Sequence, residues 1–281
     1  MIENQLKWCG VDYFDFYLMH AQDAAIFEQF KKCHAYETAL ALKAEGKIKH
    51  FGISFHDKAD VLERILTEYP QIEVVQIQLN YLNFDSPAVE SGKVYETCEK
   101  FGKPVLVMEP VKGGSLVKLP EQADAILRGL NGGSNASFAI RFAASLPNIC
   151  VVLSGMSDLE QMRDNIGSMR DFKPLDAAER AAIDQVRGVF SALRMIPCTA
   201  CHYCVYDNDC PKKIKIPELF SCYNSKTAFH DWNQDYYYNH ILTADGGKAS
   251  DCIQCGKCEK VCPQHLEIRK LLRDVAKEFG K

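Results

Sequence analysis

Nine of the thirteen cysteines in this chain fall between Cys198 and Cys262, and eight of them are spaced to hold metal. Cys252-Ile-Gln-Cys255-Gly-Lys-Cys258, followed after three residues by Cys262-Pro263, reproduces the run C-x2-C-x2-C-x3-C-P. That run ligates [4Fe-4S] clusters. An earlier set, Cys198-Thr-Ala-Cys201-His-Tyr-Cys204, reaches its Cys210-Pro211 after five residues instead of three. In two-cluster arrangements the closely spaced thiolates hold one cube, and the displaced cysteine before proline turns to the other. The spacing therefore assigns Cys198, Cys201, Cys204 and Cys262 to one cluster, and Cys252, Cys255, Cys258 and Cys210 to the second. The longer gap predicts a bulging turn at Asp207-Asn208-Asp209 and leaves Cys222 as the nearby substitute for Cys210. Zinc also takes paired cysteines, but its sites want four ligands in two pairs, not two triplets each with a Cys-Pro. The chemistry these residues allow is one-electron transfer through two [4Fe-4S] clusters. His202 and His265 are read as hydrogen-bonding neighbours that tune the clusters. Cys9, Cys33, Cys98 and Cys150 are read as small buried hydrophobes.

Something must carry that module, and residues 1–196 read as an α/β unit. Apolar strands are expected at residues 13–19, 48–54, 74–80, 105–109 and 149–154. Helices are expected between them at 35–45, 57–69, 89–101 and 137–145, then at 158–166 and 176–191. Asp57 and Asp158 are read as N-caps, and Gly46, Pro70, Gly102 and Pro147 as stops. Strands this apolar predict a parallel sheet covered on both faces by crossover helices. Ile196-Pro197 marks the boundary with a second domain at 197–281. There, helices are expected at 217–225, 231–242 and 266–279, with Tyr236-Tyr-Tyr238 as packing.

Bulk composition removes several classes of function. A net charge of −4 supplies no basic surface for nucleic acid or an anionic membrane. No apolar run approaches the ~20 residues of a membrane span. The first residues lack the features of a secretory signal. Clustered rather than dispersed cysteines argue for a reducing compartment, so a cytoplasmic protein is expected.

The strand Asp12-Tyr-Phe-Asp-Phe-Tyr-Leu-Met-His20 resembles the fourth barrel strand of the aldo-keto reductases. The resemblance continues at Gly52-Ile-Ser54, Val75-Gln-Ile-Gln-Leu-Asn-Tyr81, Met108-Glu-Pro-Val-Lys-Gly-Gly114, and Leu153-Ser-Gly-Met-Ser157 with Asn165. With the cysteines, it is similar to the subgroup carrying a C-terminal dicluster module, and the long gap from Cys210 to Cys252 resembles helical ferredoxin-like modules. The resemblance implies a partial (β/α)8 TIM barrel, strands four to eight, followed by a mostly helical ferredoxin-like domain. It implies NADP(H) or NAD(H) and a small carbonyl substrate. In it, His20 would polarise the carbonyl, and Ser54 and Gln76 would bind the nicotinamide amide. Gly155, Met156, Ser157 and Asn165 would hold the cofactor phosphate and adenine, at a helix N-terminus that attracts anions. Phe55, Met108 and Asp164 depart from the commoner family residues. The family's Asp, Tyr and Lys belong to strands absent from this chain, so Met1 is read as an internal methionine of a longer reductase. Such a fragment is expected to lack carbonyl reductase activity. A hydride carries two electrons and each cluster takes one, so either a flavin bridges them or the clusters are structural or serve a partner. Lys212, Lys213, Lys215, Lys257 and Lys260 are read either as solvated surface or as a dock for an acidic carrier such as ferredoxin or flavodoxin.

Overall fold

The computed structural model describes residues 2–86, 89–130, 133–193, 195–206, 210–228 and 233–280. It divides into two compact units, one of Met1–Pro110 with Ile140–Met162, the other of Val111–Ala139 with Arg163–Lys281. The expected turn at Asp207-Asn208-Asp209 lies outside the described residues.

The first unit is built on five parallel strands: β1 (Phe14–Gln22), β2 (Ile48–Phe55), β3 (Val74–Gln78), β4 (Val105–Met108) and β5 (Ile149–Val152). They hydrogen-bond in the order β1-β2-β3-β4-β5. Parallel neighbours require crossovers, and helices Ala35–Ala44, Ala59–Glu68 and Ser91–Lys100 serve the first three. Consecutive strands laid side by side in one direction make an arc of a barrel wall, as expected. Phe51, Ile53, Val75, Ile77, Val105 and Val107 form its core with Tyr36, Leu62 and Ile65. Gly52 is required there: a Cβ would stand 2.5 Å from the Val74 carbonyl oxygen and 2.6 Å from Leu18.

Burial on both faces holds for β2 and β3 but not for the two outer strands. Phe16 of β1 and Val151 of β5 are 49% and 43% exposed, because each outer strand lacks a neighbour on one side. β1 also runs past His20 to Gln22, through a register irregularity. Asp57 does not cap the next helix, which starts at Ala59 with Lys58 at the cap. Its carboxylate instead accepts from the Ala24 and Lys58 N–H groups, at 2.9 and 2.8 Å. Asp158 does cap: Oδ1 accepts from the Gln161 N–H at 2.8 Å, and that helix runs on to Arg170. Helices Ile2–Cys9, Ala24–Lys32 and Glu121–Arg128 have no counterpart in the sequence reading. Of the four scattered cysteines only Cys98 is buried; Cys9, Cys33 and Cys150 are exposed.

In the second unit, Glu121–Arg128 packs on Ala177–Leu193. Asp176 and Glu179 form a reciprocal cap at the start of that longer helix, with bonds of 2.9 and 2.8 Å. The cysteine-rich part has its own core of Ile214, Leu219, Phe220, Leu272, Val275 and Phe279. Two helices dominate it, Ile216–Thr227 and Ile268–Phe279. Tyr238 stacks on Phe279 at 4.3 Å, whereas Tyr236 and Tyr237 are exposed, so only one of the three tyrosines packs the module. The expected helix at 231–242 is a helical turn Gln234–Tyr237 running into a π turn Tyr238–Leu242; Asp231 lies outside the described residues. Among the described residues no helix is long and apolar enough to cross a membrane.

Candidate functional site

Three of the residues expected at the strand ends stand on neighbouring strands. Ser54 of β2 is the register partner of Gln76 of β3. In β1 the irregularity falls between Met19 and Gln22, with Ala21 in the left-handed region at φ 51°. That twist turns the Ala21 N–H onto Ser54 Oγ at 2.8 Å, so His20 is fixed beside Ser54. Ser54 is buried and His20 exposed. Gln76 Nε2 lies 3.4 Å from Met108 Sδ, which extends the row to β4. Gln22, which sequence reasoning missed, is fully buried and accepts from the Tyr36 hydroxyl at 2.7 Å. A glutamine within an apolar strand end was its only signal.

Gly155, Met156 and Ser157 follow β5 and are exposed. At the helix end beyond them, two N–H groups are taken by side chains. Ser157 N–H donates to Gln161 Oε1 at 2.7 Å, and Gln161 N–H to Asp158. A phosphate there would have to displace the Gln161 amide and sit near a carboxylate. Asn165 belongs to the other compact unit.

The eight cysteines are distributed over two cavities within the second unit. One, about 320 Å³ counting the solvent at its mouth, is lined by Cys198, Cys201, Cys204 and Cys262 with Thr199, His202 and Phe220. The other, about 380 Å³ on the same basis, is lined by Cys210, Cys252, Cys255 and Cys258 with Ile214, Lys212 and Lys257. Cys204 reaches the second cavity as well. Cys222 lines neither; it is buried, with its thiol 3.5 Å from the Gln234 carbonyl oxygen. Among the described residues no three His, Cys, Asp or Glu side chains close round a single ion.

Short loops between the cysteines make these cavities. Ala200, His202, Gln254 and His265 adopt left-handed φ values of 53°, 64°, 60° and 49°, and Gly256 one of 73°. Alternating handedness curls the backbone so that N–H groups face inward, a concavity suited to anions. The Ala200 N–H accordingly points at Cys198 Sγ, 3.5 Å away. Burial pushes the Cys198 thiol up to about 11, with Cys201 and Cys262 nearby adding to the effect. Burial does the same to Cys258, also to about 11, with Glu259, Cys252 and Cys255 adding to it. Burial likewise raises Cys204 and Cys262. Crowded, buried thiols resist ionising alone, and a cationic cluster core supplies the charge that lets them do so. Thr199 Oγ1, buried without a protein partner, lines the first cavity. His202 stacks on Tyr206 at 5.2 Å, and its Nδ1 lies 3.6 Å from Glu218 Oε1, too far for a hydrogen bond. The donor set therefore fits two four-thiolate clusters.

An arc of β/α wall with polar strand ends, in a chain that also carries two four-cysteine cavities, defines the class: a β/α-barrel-type protein with an iron–sulfur module. Residues 1–187 match the model of the aldo/keto reductase family, and residues 197–267 match that of a 4Fe-4S dicluster domain. The chain belongs to the aldo/keto reductase family. Similar solved structures include aldo-keto reductase AKR11C1 from Bacillus halodurans, 23% identical with a TM-score of 0.51, covering 66% of each chain. Another is an aldo-keto reductase from Klebsiella pneumoniae in complex with NADPH, 23% identical with a TM-score of 0.52, covering 66% of this chain and 63% of that one. The chain thus spans just under two thirds of the length of these relatives. No curated protein matches it.

Proposed function

We propose that this chain is part of an aldo-keto reductase-type iron–sulfur oxidoreductase: its two [4Fe-4S] clusters pass single electrons, and its strand ends contribute to NAD(P)H-linked carbonyl reduction in the full-length parent. The observation that carries the reading is the partition of eight cysteines into two cavities, with Cys262 beside the first triplet and Cys210 beside the second. That is the exchange of fourth ligands that two-cluster runs make.

At the strand ends, a reduced nicotinamide would supply the hydride when bound. His20, exposed at the bulge, would donate a hydrogen bond to the substrate carbonyl oxygen. Ser54 accepts from Ala21 and keeps its own O–H to donate to a carboxamide. Gln76, its register partner, offers an amide beside it. Gly155, Met156, Ser157 and Asn165 remain the candidates for the phosphate and adenine, which requires the Gln161 side chain to swing away. The reading uses no flavin, for which neither the described residues nor the relatives supply support. One-electron carriers then belong to a partner. Lys212 and Lys257 are exposed at the second cavity, with Lys213 and Lys260 exposed nearby in sequence, and together they suit an acidic carrier such as ferredoxin or flavodoxin. Lys215 is already paired with Asp245 at 2.5 Å and contributes less.

The test is iron content and spectroscopy of the anaerobically purified chain. About eight irons are expected, four per cluster, and Cys210→Ser should impair the cluster of Cys252, Cys255 and Cys258. Stoichiometric zinc would overturn the reading. So would a Cys210→Ser variant that loses the cluster of Cys198, Cys201 and Cys204 instead.

A second reading is an electron-transfer module on an inert barrel wall. It is favoured by the tyrosines near the row. Tyr36 is buried and its hydroxyl is committed to Gln22, and Tyr81 is buried; burial raises both above the ordinary phenol range, which suits neither as a general acid. Turnover of simple aldehydes with NADPH by the full-length parent that falls on His20→Ala supports the first reading. Reducible clusters with no turnover support the second.

A further inference from the structure

The two cavities differ in what faces the sulfur. Around Cys210, Cys252, Cys255 and Cys258 the lining is largely aliphatic, with Ile214, Ile216, Ile253 and Leu272, and its cationic side chains, Lys212, Lys257 and Arg269, are exposed. Exposed charges are screened by water and salt and act weakly. The cavity around Cys198 is also lined largely by apolar side chains, among them Ile216, Phe220, Leu266 and Ile268, but it holds a buried polar group. Thr199 is 6% exposed, and its hydroxyl, without a protein partner, lines that cavity. Next to Thr199 packs the loop Lys112–Gly114, which is left-handed at all three residues, with φ of 50°, 60° and 92°. At Gly113 the approach is so close that a Cβ would stand 2.3 Å from the Thr199 carbonyl oxygen. The residue before it, Lys112, is 3% exposed. A lysine is rarely buried so deeply, and this one is carried by a loop pressed against the residue that follows a cluster cysteine.

We propose that Lys112 is a positioning and tuning residue for the cluster of Cys198, Cys201, Cys204 and Cys262: its buried ammonium, with the Thr199 hydroxyl, raises that cluster's reduction potential above the other's. The inference rests on the two-cluster reading of the cysteines. Its physical cause is simple. A [4Fe-4S] core with four thiolates is anionic, and one-electron reduction adds a further negative charge. A buried cation and a donated hydrogen bond favour the more negative state, and potentials of such clusters follow charge, hydrogen bonds and exposure. The asymmetry would make the Cys198 cluster the one on which an electron rests, and the cluster near the exposed lysines the relay towards the surface.

The experiment is an EPR-monitored redox titration of the full chain with reconstituted clusters, repeated in a Cys255→Ser background so that the signal of the Cys198 cluster is read alone. Iron content checks the two-cluster reading separately. In Lys112→Met the equilibrium constant for reducing the Cys198 cluster should fall about tenfold or more, which is about 59 mV for one electron. Lys112→Arg should restore most of it, and the other cluster should not move. Thr199→Val should shift the same signal downward by less, with Thr199→Ser close to the wild type. Should Lys112→Met take up no cluster, Lys112→Gln and Thr199→Val decide by the same titration. Unchanged potentials in these variants at full iron content overturn the proposal. Equal shifts in both clusters, or Lys112→Arg shifting as far as Lys112→Met, overturn it too.

Discussion

At the scale of single residues, the cysteines were legible because ligand spacing is a direct imprint of cluster geometry. Their backbone setting was not. Ala200, His202, Gln254 and His265 carry positive φ, and no residue type among them announces it, as glycine would. Such conformations are set by the way the ligand loops curl between the cysteines, and a local sequence rule cannot see them. Gly113 and Gly114 offer a controlled comparison. Both are left-handed, so alanine at either pays about 1–2 kcal/mol for the backbone conformation. Only Gly113 would also drive its Cβ onto the Thr199 carbonyl, whereas Gly114 has nothing within 4 Å. Gly113→Ala should therefore lower the melting temperature more than Gly114→Ala and reduce iron uptake at the Cys198 cavity. Thermal melts and iron assays of the two variants check this, and equal effects would mean that the contact with Thr199 does not matter.

At the scale of elements, all five strands were legible from apolar runs, yet their ends were not. The residues expected at the strand ends depend on where β1 finishes, and that is set by the twist at Ala21, which places its N–H on Ser54. Alanine carries no signal for such a twist. Asp57 shows the opposite error: its position suits a cap, but the Ala24 N–H, far away in sequence, takes one carboxylate oxygen. A third carboxylate yields a measurable consequence. Glu73, just before β3, accepts from the Phe51 N–H at 3.0 Å, while its own N–H donates to the Phe51 carbonyl at 2.8 Å. Lys43 and His50 complete the set. Burial pushes the Glu73 carboxyl up, but the bonds from Lys43, Phe51 and His50 outweigh it and hold it at about 2. A folded value below the unfolded one means the stabilisation is present above pH ~4.5 and is lost as pH falls towards ~2. The melting-temperature gap between wild type and Glu73→Gln should therefore be widest near neutral pH and narrow steadily between about pH 5 and about pH 3. A gap that stays constant across that range would leave Glu73 without its coupling to β2.

At the scale of the whole molecule, two hydrophobic cores share no residue: one lies under the parallel sheet, the other between the helices of the cysteine module. The sequence reading drew its boundary at Ile196-Pro197, where the β/α rhythm gives way to cysteine runs. Residues 111–139 and 163–196 were read with the sheet but cluster with the module, because the loop at Lys112–Gly114 is drawn to Thr199 and helix Glu121–Arg128 to Ala177–Leu193. Contacts between segments distant in sequence leave no mark on local patterning. The division matters for metal removal. Clusters bound only by folded protein stabilise what they bind, so extracting them removes that stabilisation from the surrounding unit. The module has a small core and its ligand loops hold left-handed residues, whereas the central strands of the sheet rest on a larger apolar core of their own. Anaerobic chelation of iron from the full chain should therefore raise amide exchange across residues 198–280 while β2, β3 and β4 keep their protection. The informative segment is Lys112–Gly114. It lies directly after β4 in sequence but packs on Thr199, so it should lose protection with the module and not keep it with the strand. Hydrogen-exchange mass spectrometry of holo and chelated protein, read over peptides covering residues 105–120, measures this. Protection at 112–114 that follows β4 would show that this loop takes its order from the strand and not from the cluster-binding module.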